Sequence, residues 1–345
     1  VAPYLETDQD ALVASALAGF ARAHPSLVVH DPDLGFVRAR DRAPGRRVGL
    51  LSGGGSGHEP MHVGFVGRGM LDAACPGRIF ASPHNRQIFE ASRAVAGEDG
   101  VLHIVKNYTG DRINFGIAAE RLHRQGIPCA RVLVDDDLAS DSESVAAGRR
   151  GTAATVLVQK ILGAAADRGL GLTELASLGS ALAGRCRSIA VAGAAHTSPA
   201  TGRPAFDVLE HLVEFGVGIH GERAELSLER EPLGVLVGRM ALRLLESLRP
   251  ARAPLVALVN GLGATTSLEL YAVLNELAAV LDTGGRRLER ALVGDYVTAL
   301  DMRGFSITLL AADEQTLALL DAPAYTAAWP VAESAPAPGH QEVRR

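Results

Sequence analysis

The stretch Val48 to Glu59, VGLLSGGGSGHE, constrains this chain more than any other. Val48-Gly49-Leu50-Leu51 is an apolar run that predicts a short buried strand stopping at Ser52. Gly53, Gly54, Gly55 and Gly57 follow, interleaved with Ser56, and then come His58, Glu59 and Pro60. Glycine has no Cβ, so its amides approach a ligand closely and take up positive φ. A row of such amides between a strand and a helix start predicts a concave donor site for oxygens or phosphate, with His58 on its rim.

Three common readings of such a loop fail on the residues. A P-loop needs Gly-Lys-Ser/Thr at its end, and here His58 follows Gly57. The dinucleotide fingerprint G-x-G-x-x-G is not met, because Gly53, Gly55 and Gly57 run at spacing two. His58-Glu59-Pro60-Met61-His62 does match the H-E-x-x-H pattern of zinc hydrolases. That chemistry needs both histidines on one face of a continuous helix, where Pro60 would cost about 3 kcal/mol. Pro60 suits a first helical turn instead, which puts His58 in loop and His62 in helix, and no metal site is expected.

Composition bounds the class. The 345 residues suffice for two domains of ordinary size. Hydrophobic residues make up 47%, charged residues 21% and aromatics only 4%, which points to aliphatic α/β cores. The net charge of −5 provides no basic stripe, so nucleic acid is not expected as a partner. No apolar run approaches the length of a membrane span, and the start VAPYLETDQD lacks the basic and apolar regions of a signal peptide. Cys75, Cys129 and Cys186 are odd in number and widely spaced, which fits a reducing cytoplasm.

Apolar spacing predicts a helix from Asp10 to Arg22 and another beginning at Met61. Val101 to Val105 is the clearest buried strand of the first half. It runs into the polar cluster Lys106-Asn107-Tyr108-Thr109-Gly110-Asp111, followed by a helix over Asn114 to Gln125. Ser82 closes a strand or tight turn, near where ligands gather at strand ends in α/β sheets. Arg131 to Val134 is a strand ending in Asp135-Asp136-Asp137, and Gly151 to Gly169 a long helix. Further strands are predicted at Ser188–Ala192, Gly216–Ile219, Leu255–Val259, Leu288–Val293 and Ser306–Leu310, with helices at Leu172–Leu182, Ser267–Leu281 and Thr316–Leu320. The expected architecture is two α/β lobes, each a mixed sheet covered by helices, over 1–185 and 186–331. The Pro-rich polar residues 332–345 are read as a disordered tail.

Of the 11 histidines, His24, His30, His123, His211 and His340 read as ordinary surface or core residues, and His103 as packed within its strand. His58 and His220 differ because glycine flanks them, leaving room for a ligand against the ring.

Several long motifs then coincide. SGGGSGHEPMHVGFVGRGM at 52–70, KNYTGDRINFGIAAER at 106–121, GRRGTAATVLVQKILGAAA at 148–166 and FGVGIHGE at 215–222 occur in series. VNGLGATTSLELYAVL, VGDYVTALDMRGFSITLL and DAPAYTAAW follow at 259–274, 293–310 and 321–329. Together they resemble the K subunit or K domain of dihydroxyacetone kinases, in the same order and over nearly the whole chain. The resemblance implies a two-domain α/β homodimer that binds dihydroxyacetone or another short ketose. It places on His220 a covalent hemiaminal bond to the substrate carbonyl carbon, on His58 a hydrogen bond to the substrate, and on Asp111 the base for the hydroxyl that receives phosphate. Gly54, Gly55, Ser82 and Lys106 are implied as further substrate contacts. Glu222 is spaced to hold the other ring nitrogen of His220.

No nucleotide motif is visible. The resemblance implies that ATP and magnesium sit on a separate L subunit, or that phosphate arrives by a phosphotransferase relay. Asp135-Asp136-Asp137 reads as a solvated loop, with Asp135 where the family usually has glycine. Arg223, where the family has proline, and His84 and Asn85 beside Ser82 bear on which ketose is taken, erythrulose being one option. The alternative class is a non-catalytic dihydroxyacetone-binding transcriptional coactivator. Retention of both His58 and Asp111 favours the kinase subunit, since a sensor needs only His220 and a pocket.

Overall fold

The computed structural model describes residues 4–6, 8–141, 148–222, 224 and 226–330. The expected tail at 332–345 and Arg223 lie outside the described residues. Two six-stranded sheets organise the rest. Helix α1 (Gln9–Ala23) precedes β1 (Val28–Asp31), β2 (Phe36–Ala39), β3 (Gly49–Ser56) and β4 (Ala73–Ile79). Then come α2 (Asn85–Val95), β5 (Val101–Lys106), α3 (Thr109–Arg124) and β6 (Cys129–Val134). The first sheet has the order β1-β2-β4-β3-β5-β6, parallel from β4 to β6 and antiparallel at its β1–β2 edge. The strand order reverses between the parallel neighbours β3 and β5, because β3 leads outward to β4 on one side and β5 leads to β6 on the other. In open α/β sheets that reversal leaves a crevice at the carboxyl ends of the two strands.

Helices α4 (Ala154–Asp167) and α5 (Leu172–Gly184) lead to β7 (Cys186–Ala194), β8 (Leu212–Phe215) and β9 (Leu226–Glu229). After α6 (Leu233–Ser247) come β10 (Leu255–Gly261), α7 (Ser267–Thr283), β11 (Leu288–Gly294), β12 (Arg303–Ala311) and α8 (Glu314–Leu320). The second sheet runs β11-β10-β12-β7-β8-β9, with only β10 and β11 parallel. Both sheets are therefore mixed and covered by helices. The 185/186 boundary falls between α5 and β7, yet the core is continuous across it. Leu50 and Ile104 of the first sheet and Val256 and Leu310 of the second share one apolar cluster with Val156, Leu157 and Ile161 of α4. Helix α4 is apolar nearly all round because it is buried nearly all round. Each such aliphatic side chain contributes about 1.5–3 kcal/mol on burial. Separate clusters hold α2 and α3 on the first sheet and α6 and α7 on the second.

The structure changes several expectations. The strand does not stop at Ser52: β3 continues through Gly53, Gly54 and Gly55 to Ser56, every residue buried. Its partner β4 holds it there, pairing Gly55 with Gly77 and Ser56 with Ile79. No α-helix begins at Met61; only a single 3-10 turn, Val63–Phe65, forms. Helix α3 starts five residues early, placing Asp111 in its first turn. The strand expected at Gly216–Ile219 lies instead at Leu212–Phe215, so His220 sits in a turn.

The triple-aspartate run is not a solvated loop. Asp136 is fully buried and accepts from the Thr152 amide and hydroxyl (both 2.7 Å), the Ala154 amide (3.1 Å) and the Ser188 hydroxyl. Asp137 is buried against Arg150 (2.8 Å), and only Asp135, paired with Arg149 at 2.9 Å, keeps substantial exposure. One carboxylate thus ties the start of α4 to β7. Removing it leaves buried donors unpaired, so Asp136→Ala is expected to cost about 3 kcal/mol or more. Asp135→Ala, across a half-exposed pair, costs under about 1 kcal/mol. Chemical denaturation of the two variants side by side checks this; equal effects would contradict the hub.

Candidate active site

The site forms at the crevice between β3 and β5. Ladder pairing of β3 with β5 ends at Gly53 and Val105, whereas pairing with β4 continues, so Gly54 and Gly55 have no ladder partner on the β5 side. Gly54 makes room for side chains: a Cβ there would stand 2.9 Å from Lys106 Nζ and 3.1 Å from His62 Nε2. At Gly55 a Cβ would meet the backbone of Phe80 and Ala81 at 2.7 Å, so this glycine admits the next turn of chain instead. Gly57, at φ +97°, then reverses the backbone and delivers His58. Two non-glycine residues with positive φ flank this turn, Phe80 (+55°) and Leu300 (+56°), each anchored by its amide, to Ser56 and Gly57 carbonyls respectively, at 2.9 Å. Such backbone outliers persist only where surrounding structure over-determines them, commonly at functional sites.

Residues from both lobes meet here. The His58 ring lies 4.7 Å from that of His220 and 5.0 Å from Phe80. Tyr108 stands edge-on to His220 at 4.4 Å, Phe80 at 5.5 Å, and His196 packs against Phe80 at 4.9 Å. Lys106 ends β5 with its ammonium 5.3 Å from the Tyr108 ring centre. Asp111 follows in the first turn of α3, where the helix N-terminus favours a negative charge. His58 Nε2, His62 Nε2, Lys106 Nζ, the Tyr108 hydroxyl and Asp111 Oδ1 are all buried without a hydrogen-bond partner. Buried polar atoms are normally satisfied, so this concentration marks a place built to receive a polar ligand.

Tautomers follow from the partners. The Thr298 carbonyl accepts from His58 Nδ1 at 2.7 Å, which fixes the proton on Nδ1 and leaves Nε2 as a free lone pair. Glu222 Oε1 lies 3.4 Å from His220 Nδ1, and its Oε2 accepts from the His220 amide at 2.9 Å. Burial opposes ionisation of Glu222, but His220 and Arg150 together hold its carboxyl down at about 2. His220 Nδ1 therefore faces a carboxylate, and its Nε2 is the nitrogen left for chemistry. Burial, with the Lys106 ammonium adding, keeps His58 well below the usual imidazole range. Burial lowers His220 as well, against the pull of Glu222, so both rings are neutral near pH 7. Lys106 is lowered by burial and raised back by the Asp111 and Glu222 charges.

The other expected residues are placed less centrally. Ser82 is half-buried beside Gly110, whose Cβ position lies 2.6 Å from Ser82 Oγ. His84 is exposed and caps α2 through the Arg86 amide, and Asn85 donates to Asn114 at 3.3 Å. His103 is packed as expected, beside Ser92 Oγ at 2.9 Å and Phe115. Residues 58–62 form turn rather than helix, and no group of three potential metal ligands occurs among the described residues. His62 was weighed from sequence only as a zinc ligand and then placed in a helix, and Tyr108, Phe80 and His196 were not singled out as site residues. Tyr108 could have been, since it lies within the polar cluster after β5; His196 carries no local signal at all.

This arrangement defines a two-lobed α/β protein with a buried, polar, two-histidine site at a strand crevice. The Dak1 domain model matches residues 18–328, and the chain belongs to this dihydroxyacetone kinase family. It is 45% identical to the PEP-dependent dihydroxyacetone kinase, dihydroxyacetone-binding subunit DhaK, of Escherichia coli, over 94% of this chain and 98% of that protein. It is 41% identical to the corresponding subunit of PTS-dependent dihydroxyacetone kinase 1 of Listeria innocua, over 93% and 98%. The dihydroxyacetone kinase of C. freundii superposes with a TM-score of 0.86 at 35% identity, covering 100% of this chain and 64% of that one. The dihydroxyacetone kinase operon co-activator Dha-DhaQ superposes at 0.87 with 32% identity, over 92% and 98%.

The buried histidines set a pH dependence. His58, His62 and His103 are held below the ordinary imidazole value of about 6.5, His103 at about 3, first of all by burial. The unfolded chain binds their protons first, so stability is complete above about pH 6.5 and falls as pH drops below it. Between pH 6.5 and 5 the loss is up to about 2 kcal/mol per histidine. Denaturation at pH 7 and pH 5 measures it, and a flat profile would show that the rings are not neutral when folded.

Proposed function

We propose that this chain is the substrate-binding subunit of a dihydroxyacetone kinase, holding a short ketose covalently on His220 for phosphorylation. The observation that carries this reading is the pairing of a neutral His220, Nδ1 on Glu222, with orphaned polar atoms on His58, Lys106 and Asp111. Its E. coli and L. innocua relatives are named as dihydroxyacetone-binding subunits. A three-carbon ketose has six heavy atoms, so even ideal contacts give only about −9 kcal/mol. A reversible covalent bond adds affinity and rejects glycerol, which has no carbonyl.

In this mechanism the His220 Nε2 lone pair attacks C2 and the carbonyl π pair moves onto oxygen. The oxygen takes up a proton from solvent and the ring gives up its Nδ1 proton, so the hemiaminal is neutral overall. Glu222 stabilises the cationic ring between these transfers. His58 Nε2 accepts a hydrogen bond from a substrate hydroxyl, while Lys106, Ser82 and the Gly54–Gly55 edge orient the remaining oxygens. Asp111 takes the proton of the terminal hydroxyl as its oxygen attacks the phosphoryl donor.

The donor in this reading is carried by a separate L subunit, with ATP and magnesium or a phosphotransferase relay. The PEP- and PTS-dependent names of the relatives support the relay. The C. freundii enzyme, of which this chain covers 65%, was solved with AMP-PNP and Mg2+. We further infer a cytoplasmic homodimer; exposed Val235, Leu242, Leu268 and Tyr271 offer apolar surface to a second copy. The co-activator's superposition keeps a binding-only role as the second reading, but a buried Asp111 with its Oδ1 unpartnered favours turnover over sensing alone.

Two experiments test the assignment. The isolated chain with ATP, magnesium and dihydroxyacetone is expected to show no turnover until an L subunit is added; robust activity alone would contradict the two-component reading. Asp111→Asn should retain the ketose adduct while lowering turnover roughly 100-fold or more. Parallel loss of adduct and rate would make Asp111 a binding residue.

A further inference from the structure

Arg150 stands between two carboxylates near His220, one from each half of the chain. It belongs to the GRRG stretch at 148–151, which is fastened to the end of β5. Asn107 Nδ2 donates to the Arg149 carbonyl at 2.7 Å. At Gly151 a Cβ would stand 2.9 Å from both the Asn107 nitrogen and Lys106 Cα, so glycine lets this loop lie against the strand that ends in Lys106. The Arg150 amide donates to Ser140 Oγ at 2.7 Å. Its guanidinium donates to Asp137 Oδ2 from Nε and Nη2, at 2.9 and 2.8 Å.

Nη1 is left, and it lies 3.4 Å from Glu222 Oε1. The same oxygen lies 3.4 Å from His220 Nδ1. Glycine again permits the approach: a Cβ at Gly218 would overlap Glu222 Oε2 and stand 2.5 Å from Arg150 Nη1. Asp137, Arg150, Glu222 and His220 therefore form one row that crosses from the first half of the chain to the second. A lone carboxylate opposite an imidazole orients the ring but also draws a second proton onto it. That proton would occupy the Nε2 lone pair. A guanidinium on the same oxygen takes up part of the carboxylate's charge, so the ring stays oriented while the pull on a second proton weakens. Burial pushes Asp137 up to about 6, so below that pH Arg150 faces Glu222 with little competition from the Asp137 charge.

We propose that Arg150 is a positioning residue that shares Glu222 Oε1 with His220, holding the ring by its Nδ1 side while leaving the Nε2 lone pair free. The use made of that lone pair rests on the hemiaminal reading; the shared oxygen does not.

NMR titration of the histidine-labelled full chain, without ketose, reads the charge on the His220 ring, its signal assigned by loss in His220→Ala. His58, Lys106, Tyr108, Asp111 and His196 also surround the ring or its turn and stay in place in every other variant. Arg150→Gln should raise the His220 midpoint by about one unit, and Arg150→Lys, which keeps the charge, by less than half as much. Asp137→Asn/Arg150→Gln leaves neither member of that buried pair charged, and should show the same rise if the single variant does not fold. An unchanged or lowered midpoint in the neutral variant, or an equal rise in Arg150→Lys, would overturn the proposal. With dihydroxyacetone present, the adduct should be lost about one pH unit higher in the neutral variant than in the wild type; loss at the same pH in both would also overturn it. A wild type that forms no adduct at any pH would contradict the hemiaminal reading, while the ketose-free titration would still decide on Arg150.

Discussion

The site depends on a buried strand that lacks side chains where it meets the rest of the molecule. Because β3 is glycine at 53, 54 and 55, Lys106 and His62 come within about 3 Å of one face, and Phe80 and Ala81 press on the other. Any Cβ at Gly54 would occupy the space into which those polar groups point. Glycine costs conformational entropy in a strand, and flanking β4 and β5, both paired to β3 up to Gly53, hold it in place.

Burial then sets the chemistry. A nucleophilic imidazole must be neutral at working pH, and a solvated histidine near 6.5 is only partly so. Enclosing His58 and His220 among Phe80, Tyr108 and each other favours the uncharged form. Each ring also has one nitrogen assigned from outside, His58 by the Thr298 carbonyl and His220 by Glu222. Thr298 and Glu222 belong to the second half of the chain, as His220 does, so this two-histidine arrangement exists only when both sheets are packed on α4. The fully buried Asp136, bonded to both α4 and β7, helps to fix that packing.

Much of this was legible in the residues. Val101–Val105 and Leu255–Val259 are β-rich runs buried on both faces, and the structure extends each by only a residue or two. The glycine stretch was misread because glycine usually signals a turn, whereas here pairing with β4 overrode local preference. The aspartate run misled for a similar reason. Adjacent carboxylates normally face water, but Asp136 found donors 16 and 52 residues away that no local pattern reveals. Glycine on either side of His220 singled it out as a candidate, and the spacing to Glu222 anticipated their 3.4 Å approach. His196 and Phe80 escaped notice because only the folded chain brings them to His220 or its neighbours.

The most direct measurement concerns the proposed covalent bond from the ketose to His220. Crystals soaked with dihydroxyacetone at neutral pH, wild type beside His220→Ala, would show where the ketose is held. Continuous density from His220 Nε2 to the ketose C2 in the wild type, fading as pH is lowered below the imidazole range and absent in the variant, is the predicted result. A ketose held only by hydrogen bonds, or attached to another residue, would contradict the account.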